Sequence, residues 1–156
     1  IRGGSMSSRL FQNIREQKGL AYSVYSVSSS FSNAGYFNIY AGVAHEKIGN
    51  AIAGIKEELE NLRQKGVTEE ELSTAKEQMK STYIFAQENV NGRMFSIGKN
   101  MALCGRIQSS EEVIEGFNKV TMEDMVRVAE RICDLKRYCG AAVTNKDFDL
   151  KKIMEA

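Results

Sequence analysis

Met6, Leu10, Phe11 and Ile14 recur at helical spacing and predict an amphipathic helix running up to Arg15, ended by Gly19. From Tyr22 to Phe31 the pattern changes to strict alternation, with Tyr25, Val27 and Phe31 on one side and serines crowding the other. Ser32-Asn33-Ala34-Gly35 supplies turn residues. Tyr36 to Ala44 then alternates again, with Phe37, Ile39, Ala41 and Val43 on one face. Two such runs joined by a short Asn/Gly loop predict an antiparallel hairpin.

Helical periodicity returns at His45 and runs to Lys65, where Ile48, Ile52, Ile55, Leu59 and Leu62 form one stripe. Gly66 fits a left-handed residue just past the helix end. Thr68 and Glu71 have capping-box spacing, and a helix through Leu72, Ala75, Met79, Tyr83 and Ala86 should follow. Asn91-Gly92 should break or bend it before a helix from Arg93 to Leu103, whose Met94, Ile97 and Met101 read as core packing. Ser109 or Ser110 should cap a short helix through Val113, Ile114 and Phe117. Thr121 should cap another, through Met122, Met125, Val126, Ala129 and Ile132. Arg137 to Val143 reads as a third strand, and Asp147 to Ala156 as a terminal helix or tail. The expected fold is α+β, an antiparallel sheet with helices packed on one face.

Composition narrows the function classes. One hundred and fifty-six residues make a single domain, 1–156, with room for a core. The net charge is +1, and acids interleave with bases, as in Lys56-Glu57-Glu58. That mixture describes solvated helix faces and lacks the basic footprint of a nucleic-acid binder. No apolar run reaches the ~20 residues of a membrane span. Cys104, Cys133 and Cys139 are odd in number and form no Cys-x-x-Cys pair. Free thiols in a reducing compartment are therefore expected, cytoplasmic or, in a eukaryote, the mitochondrial matrix. A structural zinc site from these cysteines and His45 would need ligand spacings that the chain does not have. His45, at the entry to its helix, reads as a capping or surface residue.

Candidate chemistry gathers at the first helix-to-strand junction. Arg15 in a last helical turn and Tyr22 at the first strand position can point into the same space and grip one carbonyl or oxyanion. A structural reading stands beside this one. A last-turn cation is stabilised by the helix dipole by about 0.3–1 kcal/mol, and tyrosine is common in strands.

Gly3-Gly4-Ser5-Met6-Ser7-Ser8-Arg9-Leu10-Phe11-Gln12-Asn13-Ile14-Arg15-Glu16-Gln17-Lys18-Gly19-Leu20-Ala21-Tyr22-Ser23-Val24 closely resembles a segment of the pitrilysin-type (insulinase-like) zinc metallopeptidases. The match is best to the short-chain subgroup of mitochondrial processing peptidase and its bacterial relatives. Gly66-Val67-Thr68-Glu69-Glu70-Glu71-Leu72, with Ala75-Lys76, is similar to a second family signature. The family's His-x-x-Glu-His helix, where two histidines hold zinc and the glutamate is general base, has no counterpart here, because His45 is the single histidine.

The resemblance implies the C-terminal half of a metalloendopeptidase, with zinc carried by an N-terminal half outside this chain and none bound by the chain itself. It implies that Arg15 and Tyr22 reach the backbone of a peptide or presequence substrate near the scissile bond. It also implies a strand ahead of Gly3-Gly4, so the domain is expected to be N-terminally truncated, with a bare sheet edge inviting self-association or union with the other half. Two rival readings are a non-catalytic partner subunit of a processing-peptidase-like complex and a free-standing α+β binding module.

Overall fold

The structure is a computed structural model that describes residues 8–155. Met6, with the Gly3–Ser7 part of the first motif, and Ala156 lie outside the described residues. The chain folds into two compact units. One comprises the described residues up to Gly66 together with those from Val128 onward, and the other comprises Val67–Arg127.

The first unit carries the sheet. Strand β1 (Ser23–Ser30) pairs antiparallel with β2 (Gly35–Gly42), in a register that sets Val24 opposite Ala41 and Ser26 opposite Ile39. The Phe31 N–H donates to the Ala34 carbonyl at 2.8 Å and closes the turn. The buried face of β1 is Val24 and Ser26, the face on which the serines sit. Tyr25 lies on the open side, its ring stacked on Tyr40 at 5.0 Å, and Phe31 is also exposed. The alternation was therefore legible, but the apolar side of β1 is not the covered one. Small serines admit a close-packed helix that aromatic rings would hold away.

That helix is the first departure from the expected pattern. Phe11–Gln17 is a π-helix, wider by one residue in each turn than an α-helix. It lies against α1 (Ile48–Lys65), which follows a single 3₁₀ turn at His45–Lys47. Ile14 is fully buried and packs with Ala21 and Val24, flanked by Leu10, Leu20, Ile39, Ala41, Val43 and Ile55. Gly54 on α1 makes room for it: a Cβ there would lie 2.8 Å from Ile14 Cδ1. Helices thus cover one face of an antiparallel pair, as an α+β fold requires.

Gly66 ends α1 with φ 67° and ψ −156°, a positive φ but not the left-handed helical conformation expected. The segment from Arg137 to Val143 is not a strand. Leu135–Arg137 is a 3₁₀ turn, Val143 is fully exposed, and Gly140 packs beneath Leu150 and Met154 of α6 (Leu150–Glu155). A strand is stabilised by cross-strand partners, and among the described residues this segment pairs with none.

The second unit is helical: α2 (Glu69–Glu88), α3 (Val90–Cys104), α4 (Ser110–Lys119) and the start of α5 (Met122–Ile132). Thr68 and Glu71 form the capping box, with bonds of 3.1 and 2.8 Å. Ser109, not Ser110, caps α4 by the same reciprocal pair with Glu112. Thr121 and Asp124 repeat it at α5. The break after α2 falls at Asn89, two residues before the expected Asn91-Gly92, and Asn89 Oδ1 accepts the Gly92 N–H. Gly92 is needed inside the new first turn because a Cβ would lie 2.7 Å from the Ala86 carbonyl oxygen. Met94 and Met101 were expected in a core, yet both are exposed; the half-covered positions of α3 are Ser96 and Asn100. Helical spacing identifies residues that share a face without saying which face is covered.

Replacing Ile14 by alanine should lower the unfolding free energy by about 2–5 kcal/mol, the range for emptying a packed aliphatic site. Thr68→Ala should lower it by about 1 kcal/mol through loss of a cap. Urea denaturation of both variants checks the order.

Candidate functional site

The site is built around the reversal that joins the π-helix to β1. Gly19 has φ +57°, a conformation open to glycine at little cost. The Lys18 N–H reaches back to the Asn13 carbonyl, the Gly19 N–H to Arg15 and the Leu20 N–H to Ile14, at 3.1, 3.1 and 2.9 Å. The last two bonds form a Schellman-like close in which each bond spans one residue more than at the end of an α-helix. The Tyr22 N–H then donates to the Gly42 carbonyl at 2.8 Å, so Tyr22 enters the hairpin with its backbone fixed.

The side chains are exposed where the backbone is held. Arg15 is on the solvent side of the π-helix, its guanidinium 4.7 Å above the Phe11 ring and its Nε 3.7 Å from Glu16 Oε1. An exposed pair at that distance contributes little. The Tyr22 ring is 76% exposed. Arg15 and Tyr22 stand on either side of the Gly19 reversal, and no hydrogen bond joins them among the described residues. Both groups are open to a third party. Small Ala21, which is buried, lets the chain pass inward between them.

Two cations that the sequence did not single out hold this reversal to α1 and its entry. Lys18 Nζ donates to Glu57 Oε2 at 2.6 Å, and Lys47 Nζ donates to the Gly19 carbonyl at 2.8 Å. At the other end of the π-helix, Arg9 donates to the Gly66 carbonyl at 3.0 Å. These pairings join positions 28 to 57 residues apart, so no local pattern announces them.

The remaining candidates are structural. His45 opens the 3₁₀ turn as expected for an entry residue; its Nδ1 lies 3.3 Å from Thr144 Oγ1 and its ring meets the Phe148 ring edge-on at 6.1 Å. Cys133 is fully buried and burial pushes its thiol up, while Cys104 and Cys139 are exposed. The Tyr138 hydroxyl donates to the Ile132 carbonyl at 2.6 Å, and burial pushes it up to about 12. Among the described residues, no three His, Cys, Asp or Glu side chains are placed to hold a metal ion. The donor set of the described residues does not fit zinc. An open groove of about 730 Å³ lies between α1 and α6, lined by Gly49, Ala53, Lys56, Asp149, Lys152 and Ile153, and none of these residues belongs to the Arg15–Tyr22 site. No helix among the described residues is long and apolar enough to cross a membrane.

The exposed Arg15 guanidinium and Tyr22 phenol thus flank a glycine reversal between a π-helix and a hairpin. The comparisons with known proteins give this surface its family. The profile described as Peptidase M16 inactive domain matches residues 1–79, and the chain belongs to the M16 peptidase family. An uncharacterized zinc protease of Bacillus subtilis, YmxG, is 41% identical over 132 residues, covering 85% of this chain and 32% of the relative. One from Streptomyces coelicolor is 35% identical over 154 residues, covering 99% and 34%. The chain thus spans about a third of the length of these relatives. Among solved structures, a conserved protein from Enterococcus faecalis superposes with a TM-score of 0.70 at 31% identity, over 83% of this chain and 30% of that one. A protease from Helicobacter pylori, at 21% identity and a TM-score of 0.66 over 83% of this chain and 31% of that one, shares the fold.

The Lys18 ammonium beside Glu57 holds that carboxyl below the usual glutamate range. A depressed folded-state value makes the pair stabilising above the ordinary glutamate pKa, and that contribution is lost as pH falls through the folded value. Lys18→Met should return the Glu57 midpoint, followed by NMR titration, to that of an unpaired glutamate.

Proposed function

We propose that this chain is the substrate-gripping part of a zinc metalloendopeptidase of the M16 family, with Arg15 and Tyr22 as its working groups. The observation that carries this reading is the contrast at the reversal. The backbone on both sides of Gly19 is hydrogen-bonded, while the Tyr22 phenol is in solvent and the half-exposed Arg15 guanidinium has only local contacts with Phe11 and Glu16. The held backbone fixes where each side chain starts from, so both donors can reach a carbonyl on which charge develops.

The bound partner is an extended peptide. As its scissile carbonyl is attacked, negative charge grows on the oxygen, and the Tyr22 hydroxyl and the Arg15 guanidinium donate to it or to the neighbouring backbone. Arg15 offers a planar fork of donors for two acceptors, and Tyr22 offers one. Moving Arg15 onto substrate gives up only an exposed stack on Phe11 and a long contact with Glu16. The nucleophile and the zinc belong to a further part of the full-length protein, an N-terminal half that joins this one. The names of the relatives and the absence from the sequence of a second histidine both support that division.

In the full-length enzyme, Tyr22→Phe should lower kcat by roughly 10²–10³, the range for one oxyanion donor, and change KM far less. Arg15→Lys should also reduce turnover, because an ammonium cannot reproduce the fork. The dipole effect alone would be indifferent to which cation supplies the charge. Steady-state kinetics at unchanged zinc content checks both. Near-normal turnover in the two variants would return Arg15 and Tyr22 to structural roles.

A further inference from the structure

We infer that Lys47 is a positioning residue for the Arg15–Tyr22 pair, an inference that rests on the reading of those two groups given above. The Gly19 carbonyl sits at the apex of the reversal, past the last turn of the π-helix, where helix-end carbonyls lack intrahelical partners. Lys47 Nζ reaches it at 2.8 Å from the 3₁₀ turn that leads into α1. Gly19 has no Cβ and a positive φ, so sterics alone do little to fix its peptide plane; the Leu20 N–H on one edge of that peptide donates to the Ile14 carbonyl at 2.9 Å, and Lys47 restrains the carbonyl on the other edge. A rotation there would swing Leu20 and the following residues against Arg15. Together with that N–H bond, the ammonium opposes the rotation by tying the carbonyl oxygen to the 3₁₀ turn that leads into α1, the helix against which Ile14 packs.

The second clamp works differently. Lys18 meets Glu57 side chain to side chain, so it restrains the neighbourhood of the turn but not the orientation of the Gly19–Leu20 peptide. Lys47 acts on that peptide directly. Among the described residues no hydrogen bond or ion pair joins Lys47 to Arg15 or Tyr22, so its effect on them passes through the backbone. A displacement of about 1 Å in a positioned group is enough for a large loss of rate, up to 10²-fold.

The test uses the full-length enzyme carrying Lys47→Met, Lys47→Arg, Tyr22→Phe and the double variant Lys47→Met/Tyr22→Phe. Lys47→Met should lower kcat by about 10-fold, with KM within about twofold, and Lys47→Arg, which can still donate to the carbonyl, should restore most of it. In the Tyr22→Phe background the same Lys47→Met change should cost markedly less than 10-fold, since a residue acting through Tyr22 has less left to position. Amide hydrogen exchange at Leu20 should quicken in Lys47→Met and recover in Lys47→Arg. If Tyr22→Phe impairs turnover while Lys47→Met leaves kcat intact, or if the two losses multiply in full, the positioning role is overturned and the reading of Tyr22 stands. If Tyr22→Phe leaves turnover intact, the reading of the site fails and the role of Lys47 falls with it.

Discussion

The close contact between Ile14 and Gly54 is the constraint on which the first unit depends. Ile14 is wholly buried, and its Cδ1 occupies space that a side chain on α1 would otherwise fill. Burying such a group stabilises by roughly 1.5–3 kcal/mol, and the approach fixes the π-helix against α1. With the helix in that position, its outer side must carry Phe11 and Arg15 toward solvent. The covered face of β1 is Val24 and Ser26. The reversal at Gly19 then has to complete itself within a few residues to reach the hairpin.

Much of this was legible in the sequence. Thr68 with Glu71 and Ser109 with Glu112 announce their helices because capping is local, reading out over three residues. The hairpin is equally local, and its alternation and turn residues place it within a residue or two at each end. The elements that escaped depend on distant partners. The Arg137–Val143 segment has a strand's composition, yet strand formation needs a pairing that composition does not supply. The covered face of β1 was concealed for the same reason, since periodicity of two defines both faces equally. The exposed Met94 and Met101 teach this lesson for helices.

The site was readable as residues but not as geometry. The Arg15-to-Tyr22 wording identified the junction, and Gly19 was correctly placed at the helix end. Nothing in the spacing disclosed that the helix is π-type. Lys18, Lys47 and Glu57 also passed unnoticed, being charged residues on helix-like segments whose ordinary role is solvation. The family relationship rests on a profile that matches residues 1–79 and on relatives of which the chain spans about a third. The chain has one histidine, no metal-holding cluster among its described residues, and spans about a third of the zinc-protease relatives it matches.

The central claim is that Arg15 and Tyr22 grip the peptide backbone at the bond to be broken. The most direct measurement is a crystal structure of the full-length protein, made inactive outside this chain, with an extended peptide bound. The account predicts the Tyr22 hydroxyl and a guanidinium nitrogen of Arg15 within about 2.6–3.2 Å of peptide carbonyl oxygens at the scissile position. A peptide bound there with its carbonyls held by other donors, and with Arg15 still stacked on Phe11 and Tyr22 in solvent, would contradict it.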